Sequence, residues 1–219
     1  MDNKPTIIGL SGVAGSGKDL FYTLLTQVLS EDPNNIGHAV KCRKLSLAEA
    51  LKEEVKEWSL EQYGIDPTNC TRADKEVIRP LLVFHGTVRR GQTSGRYWID
   101  ILDKKIKNLN LESDEILVIT DIRYDQYEKD EVHWLKNELE GTLVHISHFI
   151  RVGSDDSSPP AIIEKTPAND AEKINDPKLM NAADFKVRWP FVDGSDEEIS
   201  AALSGFAKHF AKNYLDNKE

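Results

Sequence analysis

The stretch Gly12-Val-Ala-Gly-Ser-Gly-Lys18 decides the fold of this 219-residue chain. It fits the pattern G-x-x-x-x-G-K, in which glycines let successive backbone N–H groups turn towards a polyphosphate and the lysine reaches the β- and γ-phosphates. The apolar run Thr6–Leu10 before it predicts a buried strand, and apolar residues at helical spacing after it predict a helix. This order places a helix N-terminus beside the bound anion and Lys18 on a solvent-facing loop. We therefore predict that a polyphosphate is bound by Gly12, Val13, Ala14, Gly15, Ser16, Gly17, Lys18 and Asp19.

Two acidic residues are predicted to hold Mg²⁺ near this loop. Asp19 stands where the pattern usually has a Ser or Thr ligand, and a carboxylate can hold hydrated Mg²⁺ directly or through water. Asp121 follows Glu115–Thr120, the strongest predicted strand, and an acid at such a strand end can hold the ion or its water shell. The alternative for Asp121 is a helix N-cap. Arg123, two residues on, is predicted to stabilise the transferring phosphoryl group.

Composition bounds the class of protein. The net charge of −9 argues against binding to duplex nucleic acid, which needs a basic face. No apolar run approaches the roughly 20 residues that span a bilayer, and Met1–Pro5 shows no apolar signal segment. Cys42 and Cys70 show no metal-ligand spacing, which favours reduced thiols in the cytoplasm. Six of the nine arginines lie between Arg72 and Arg123, which indicates an anion-binding cleft in an acidic protein.

The alternation of strand and helix patterns predicts an α/β fold, a parallel sheet flanked by helices, in one domain over residues 1–219. Ser46-Leu-Ala-Glu49 reads as a capping box that begins a helix, whereas Pro80 is expected to interrupt or bend the next one. The acidic run Asp125–Glu131 is expected to be a solvated helix start. Ligands in such folds bind beyond the carboxyl ends of the strands.

Residues 151–181 are rich in Ser, Asp, Pro and Asn and show little periodicity. A stretch of this length inside a compact domain is usually a lid, a binding loop or disorder. We predict a lid-like segment. Its first residue, Arg151, follows the predicted strand Thr142–Phe149, so Arg151 is expected to reach the same cleft as Lys18 and Asp121 as a catalytic residue.

A second constellation precedes the strongest strand, within a predicted helical region at about 46–110. A glycine–threonine step beside arginines and an aromatic residue could provide phosphate ligands and a flat face for a base. A helix ending at Gly86 with surface arginines and a core tryptophan is the alternative reading. The candidate substrate-binding residues are Arg79, Gly86, Thr87, Arg90 and Trp98.

Taken together, the loop Gly12–Asp19, the second constellation and Asp121-Ile-Arg123 resemble the bacteriophage deoxynucleoside monophosphate kinases over most of residues 6–150. A loop ending Ser-Gly-Lys-Asp is typical of that family, although Val83 stands where Gln is common. The resemblance implies the P-loop nucleotide kinase fold, ATP as donor with Mg²⁺ and a deoxynucleoside monophosphate as acceptor. It also implies that Arg79 and Arg90 grip the acceptor phosphate.

The sequence thus predicts transfer of the γ-phosphoryl of ATP to a deoxynucleoside monophosphate, with no membrane partner and a homodimer as one option. Two alternatives stay open. One is a kinase of the same fold with another acceptor, such as dephospho-coenzyme A or a sugar acid. The other is a nucleotide-binding switch or ATPase module, which would need no second phosphate site.

Overall fold

A central sheet of six strands organises the part of the chain that a computed structural model describes, residues 5–31, 40–112, 115–153 and 161–215. The strands are β1 (Thr6–Ser11), β2 (Cys42–Leu45), β3 (Ile116–Ile122), β4 (Thr142–Val152), β5 (Ala161–Glu164) and β6 (Phe185–Pro190). The helices are α1 (Lys18–Glu31), α2 (Leu47–Tyr63), α3 (Arg72–Gln92), α4 (Arg96–Lys107), α5 (Glu131–His133, continued as a π-helix over Trp134–Glu138), α6 (Asp170–Ala182) and α7 (Asp196–Leu215).

The sheet is mostly parallel. β3 pairs with β2 and β1, and β4 pairs with β1 and β6, all in parallel, while β5 is antiparallel to β4. The carbonyl of His148 accepts from Lys165 N–H on the β5 side, and that of Phe149 accepts from Phe191 N–H on the β6 side. Successive residues of a strand point their carbonyls to opposite edges, so β5 lies on the edge of β4 opposite to β6. This is the edge that pairs with β1, and β5 lies past the end of β1.

Helices cover both faces of this sheet, and each face has its own apolar core. On one face α1 and α7 pack on β1, β3, β4 and β6 through residues such as Phe21, Trp189 and Phe210. On the other face α2, α4 and α6, with the π-helix, pack through residues such as Trp98 and Trp134. Both faces of the central strands are buried, as parallel sheets require. The prediction of a parallel sheet flanked by helices is confirmed, with β5 as an antiparallel addition.

Several predicted boundaries were wrong. The interruption expected as one option at Pro80 does not occur, because α3 runs without a break from Arg72 to Gln92 with Pro80 inside it. Gly91, expected in a loop, lies in the last turn of α3. The segment with little periodicity in its sequence, 151–181, contains the end of β4, all of β5 and most of α6, and its residues 154–160 lie outside the described residues. Within the described ranges, no helix has the length and apolar character to cross a membrane.

Candidate active site

The loop over residues 12–17, which is predicted to bind phosphate and is called the phosphate loop below, joins β1 to α1. It contains positions that only glycine can occupy without strain. Gly17 has φ +94°, and a Cβ on it would lie 2.5 Å from the ring of Trp189. The indole N–H of Trp189 also donates to the carbonyl of Ser16 at 3.0 Å. Because Trp189 is only 2% exposed, the loop is supported from beneath by a rigid aromatic side chain from β6.

Lys18 begins α1, and its ammonium group turns back onto its own loop. Its Nζ donates to the carbonyls of Gly12 at 2.6 Å and Val13 at 2.9 Å. The expectation of a solvent-facing lysine was wrong, since Lys18 is only 9% exposed. Burial, followed by the charge of Arg123, lowers the pKa of Lys18 to about 8.

Asp19 lies in the first turn of α1, and 79% of its side chain is exposed. Its carboxylate accepts from Lys44 Nζ at 2.6 Å and has room for a further cationic ligand. No cluster of three or more His, Cys, Asp or Glu side chains suited to a metal occurs among the described residues. The donor set therefore fits an Mg²⁺ ion that arrives with a polyphosphate and keeps most of its oxygen ligands from phosphate and water.

Asp121 lies inside β3 rather than after a strand, and it is the N-terminal cap of α2. Its Oδ1 accepts from Leu47 N–H at 2.8 Å, and its Oδ2 accepts from Ala48 N–H and the Ser46 hydroxyl, both at 2.8 Å. The capping-box prediction placed the helix start correctly, yet Ser46 makes no side-chain cap of its own. The alternative role of Asp121 as a helix cap therefore holds, but the helix that it caps, α2, is distant from it in sequence. Both carboxylate oxygens are engaged, which leaves Asp19 better placed for direct contact with Mg²⁺.

A cavity of about 470 Å³ connects the phosphate loop with the helical region α2–α4. It gathers predicted residues from four different elements or their ends. Those that line it are Lys18, Asp19, Arg79, Gly86, Thr87, Arg90, Trp98, Asp121 and Arg123.

Arg79 and Thr87 form the accessible part of the predicted acceptor site. Arg79 is 44% exposed in its side chain and pairs with Glu76 one turn away at 2.6 Å. Thr87 is exposed, and its hydroxyl donates to the Val83 carbonyl at 2.8 Å. An exposed ion pair within one helix contributes little stability, so Arg79 can readily exchange Glu76 for an anionic ligand. Lys75, which the sequence reading omitted, lines the same wall.

Trp98 is mainly a core residue. It is 4% exposed, and its indole N–H donates to the Gly86 carbonyl at 3.3 Å. Gly86 is a buried residue within α3 and does not end that helix. The tryptophan therefore fixes the distance between α3 and α4 and offers the cavity only part of its ring.

Arg90 differs from Arg79 because it is buried in an ion-pair network. Its Nη1 donates to Glu131 at 2.9 Å and its Nη2 to Asp130 at 2.9 Å, and its guanidinium lies 3.8 Å from the centre of the Tyr124 ring. Asp130 and Glu131 are 0% and 3% exposed, so the acidic run is not a solvated helix start. Burial raises the pKa of Glu131 to about 7, against the opposing charge of Arg90. Two carboxylates already balance Arg90.

Arg123 follows β3 and points its side chain towards the phosphate loop. Its backbone N–H donates to Glu131 at 2.6 Å, which fixes the main chain. Its guanidinium, 42% exposed, pairs with Glu172 at 3.4 Å. The predicted position of Arg123 beside Lys18 agrees with its effect on the lysine pKa.

Arg151 does not reach the cavity with Lys18. It lies within β4, six residues beyond His145, the last β4 residue that pairs with β1. There it pairs with Ile162 of β5 and does not line the cavity. The strand runs on past the sheet edge where the other site residues meet, so the expected convergence was wrong for this arginine.

Two residues of the segment 151–181 lie over the loop, and sequence reasoning missed Glu172, the one that contacts it directly. Glu172, in the first turn of α6, accepts from the Ala14 N–H. The side chain of Lys165 approaches within 3.7 Å of the position that a Cβ on Gly15 would take. Both belong to the segment that was read as irregular, and the only signal for Glu172 was Asn169 three residues before it, an N-cap pattern that the structure bears out at 2.9 Å.

No protein-family model matches this chain, and no curated protein matches it. Among solved structures it is similar to a shikimate kinase from Acinetobacter baumannii in complex with shikimate. That similarity has 15% sequence identity and a TM-score of 0.45, and it covers 99% of this chain and 96% of the other.

Proposed function

We propose that the protein is a P-loop phosphotransferase that moves the γ-phosphoryl of ATP to a small anionic acceptor, with a deoxynucleoside monophosphate as the acceptor class. The observation that carries the proposal is the cavity of about 470 Å³ that is lined both by Lys18 of α1 and by Arg79 of α3. A binding switch needs a donor site alone. Cationic groups from two separate helices in one cavity suit two phosphorylated substrates that meet there.

At the donor end, the loop glycines and the N-terminus of α1 would receive the β- and γ-phosphates of ATP. Lys18 would leave the carbonyls of Gly12 and Val13 to contact them. Asp19 would hold Mg²⁺ directly or through water, and the ion would neutralise charge on the phosphates.

At the acceptor end, Arg79 would exchange Glu76 for the acceptor phosphate, with Lys75 beside it. The resemblance to the bacteriophage kinases supports a deoxynucleoside monophosphate here. Arg90 contributes less directly than the resemblance implies, because Asp130 and Glu131 already neutralise it. Its role in the proposal is to hold Tyr124 and α5 against the cavity.

The chemistry requires no general base, since an oxygen of the acceptor monophosphate is already anionic at neutral pH. That oxygen attacks Pγ, the bond from Pγ to the β–γ bridging oxygen breaks, and ADP leaves with the electron pair. No covalent enzyme intermediate forms. Lys18 and Arg123 would stabilise the charge that develops on the transferring group and on the leaving oxygen.

The test is ADP release with Mg²⁺–ATP and a panel of deoxynucleoside monophosphates, ribonucleoside monophosphates, dephospho-coenzyme A and sugar acids. ADP should form quickly only when a deoxynucleoside monophosphate is present, and Lys18→Met should abolish it. ADP release with a sugar acid or dephospho-coenzyme A alone would assign the same fold to another acceptor. Equal ADP release with no acceptor at all would favour an ATPase module.

A further inference from the structure

A carboxylate from the protein itself lies against the phosphate loop. The backbone N–H of Ala14 donates to both carboxylate oxygens of Glu172 at 3.2 Å, and the N–H of Ala168 donates to one of them at 2.9 Å. Only 10% of the Glu172 side chain is exposed. A planar anion held by backbone N–H groups is the arrangement that such a loop offers to phosphate oxygens.

Glu172 also engages the two cations next to this position. Arg123 pairs with it at 3.4 Å, and its negative charge raises the pKa of Lys18 against the effect of burial. Lys18 meanwhile donates to two loop carbonyls. The loop amide and the predicted transfer arginine are therefore satisfied from within the chain.

A bound polyphosphate and the Glu172 carboxylate would compete for the same donors. Like charges only a few ångströms apart repel strongly in a partly buried site, and here solvent screens them weakly. Either the carboxylate leaves or the nucleotide binds against it. Lys165, on the same segment, carries the opposite charge near Gly15 and has no carboxylate partner among the described residues.

We propose that Glu172 is an internal stand-in for the donor phosphate, which occupies the loop until the nucleotide binds and is then expelled. Its departure releases Arg123 for the transferring phosphoryl group while Lys165 remains over the loop. The proposal rests on the proposed function only in requiring that the loop binds a nucleoside polyphosphate.

The surroundings allow Glu172 to leave without disturbing the rest of α6. The helix is held one turn further on, where Asn175 accepts from the Asp125 N–H at 3.3 Å and Asp176 lies 3.0 Å from the buried His145. The N-cap, Asn169, accepts from the backbone of Glu172, not from its side chain. A change of side-chain rotamer or of the first turn is therefore sufficient.

The direct test is the affinity for Mg²⁺–ATP, measured by titration calorimetry, of the wild type, Glu172→Gln and Glu172→Ala. Removing the competing charge should tighten binding about tenfold in both variants. Asp170→Asn is the matched control, because it removes an equal charge from the same helical turn at an exposed position and should change affinity less than about twofold. Unchanged or weaker binding in the two Glu172 variants would overturn the proposal.

A second measurement uses the wild type and needs no substitution. Site-resolved hydrogen exchange with Mg²⁺–ATP should speed exchange at the Ala168 amide, which loses its acceptor, while the Ala14 amide stays protected by phosphate. Slower or unchanged exchange at Ala168 would mean that Glu172 stays in place.

The ADP-release panel separates this proposal from the proposed function. Tighter ATP binding by Glu172→Gln without transfer to any monophosphate would keep the stand-in and remove the kinase assignment. Transfer to a deoxynucleoside monophosphate with unchanged ATP affinity in Glu172→Gln would do the reverse. Failure of the wild type and all variants to bind ATP would overturn both.

Discussion

The ammonium nitrogen of Lys18 lies 2.6 Å from the carbonyl oxygen of Gly12, the first residue of its own loop. The lysine is thus buried and must change partners to meet a phosphate. Nucleotide binding is therefore expected to change the protonation of Lys18.

Nucleotide binding should take up protons above about pH 8. Burial lowers the pKa of Lys18 to about 8, so a growing fraction of the lysine is neutral as the pH rises, and a bound polyphosphate should restore the charge. Calorimetry of Mg²⁺–ATP binding in two buffers of different ionisation enthalpy should show uptake at about pH 8.5 and little at about pH 6.5. Equal heats in both buffers at the higher pH would show that Lys18 is already charged.

The two arginines predicted to grip the acceptor should behave differently. Arg90→Ala leaves Asp130 and Glu131 buried without their cation and should lower the free energy of unfolding by about 3 kcal/mol or more. Arg79→Ala removes an exposed pair, so stability should change by less than about 1 kcal/mol while the acceptor KM rises more than the ATP KM. Urea denaturation and steady-state kinetics measure the two effects. A normal acceptor KM in Arg79→Ala would remove this residue from the site.

Asp121 should be more important for stability than for metal binding. Asp121→Asn places an amide NH₂ near the donors of Ser46, Leu47 and Ala48, and it should cost about 2 kcal/mol of unfolding free energy. Ser46→Ala removes one of these contacts and should cost about 1 kcal/mol. Denaturation of both variants, with Mg²⁺ titration of the activity, checks this. A fully stable Asp121→Asn that needs far more Mg²⁺ would instead make Asp121 a metal residue.

Asp19→Thr should retain more activity than Asp19→Leu, because a hydroxyl can still ligate Mg²⁺ and an alkyl group cannot. The readout is the Mg²⁺ concentration that gives half-maximal rate. Lys44→Met is the control, since it breaks the same 2.6 Å ion pair and leaves the carboxylate in place. If the leucine variant needs no more Mg²⁺ than the threonine variant, Asp19 is only a first-turn helix acid.

The sequence was most informative where contacts are local. The strand, loop and helix around Lys18 follow from spacing and glycine content alone, and the local pattern Ser195–Glu198 forms a capping box at the start of α7. Long-range contacts were not predictable. The capping of α2 by Asp121 joins residues more than 70 positions apart. Arg90 forms a buried ion pair with an acid 40 positions away.

Glu172 shows the same limit most sharply. Its helix, α6, carries Pro177 and only two buried residues, so neither helix propensity nor apolar periodicity identifies this helix in the sequence. Its significance comes from the Ala14 N–H, 158 positions earlier in the chain. A contact between a side chain and a distant backbone amide leaves no pattern in a single sequence.

The packing of Trp189 beneath the phosphate loop has a practical consequence. Its indole N–H donates to the Ser16 carbonyl, and its ring abuts Gly17, so any rearrangement of the loop alters the electric field at this fluorophore. Trp134, fully buried on the opposite face of the sheet, is remote from such a change. The protein therefore carries an intrinsic optical reporter of loop occupancy, and stopped-flow emission could resolve nucleotide arrival without any attached dye.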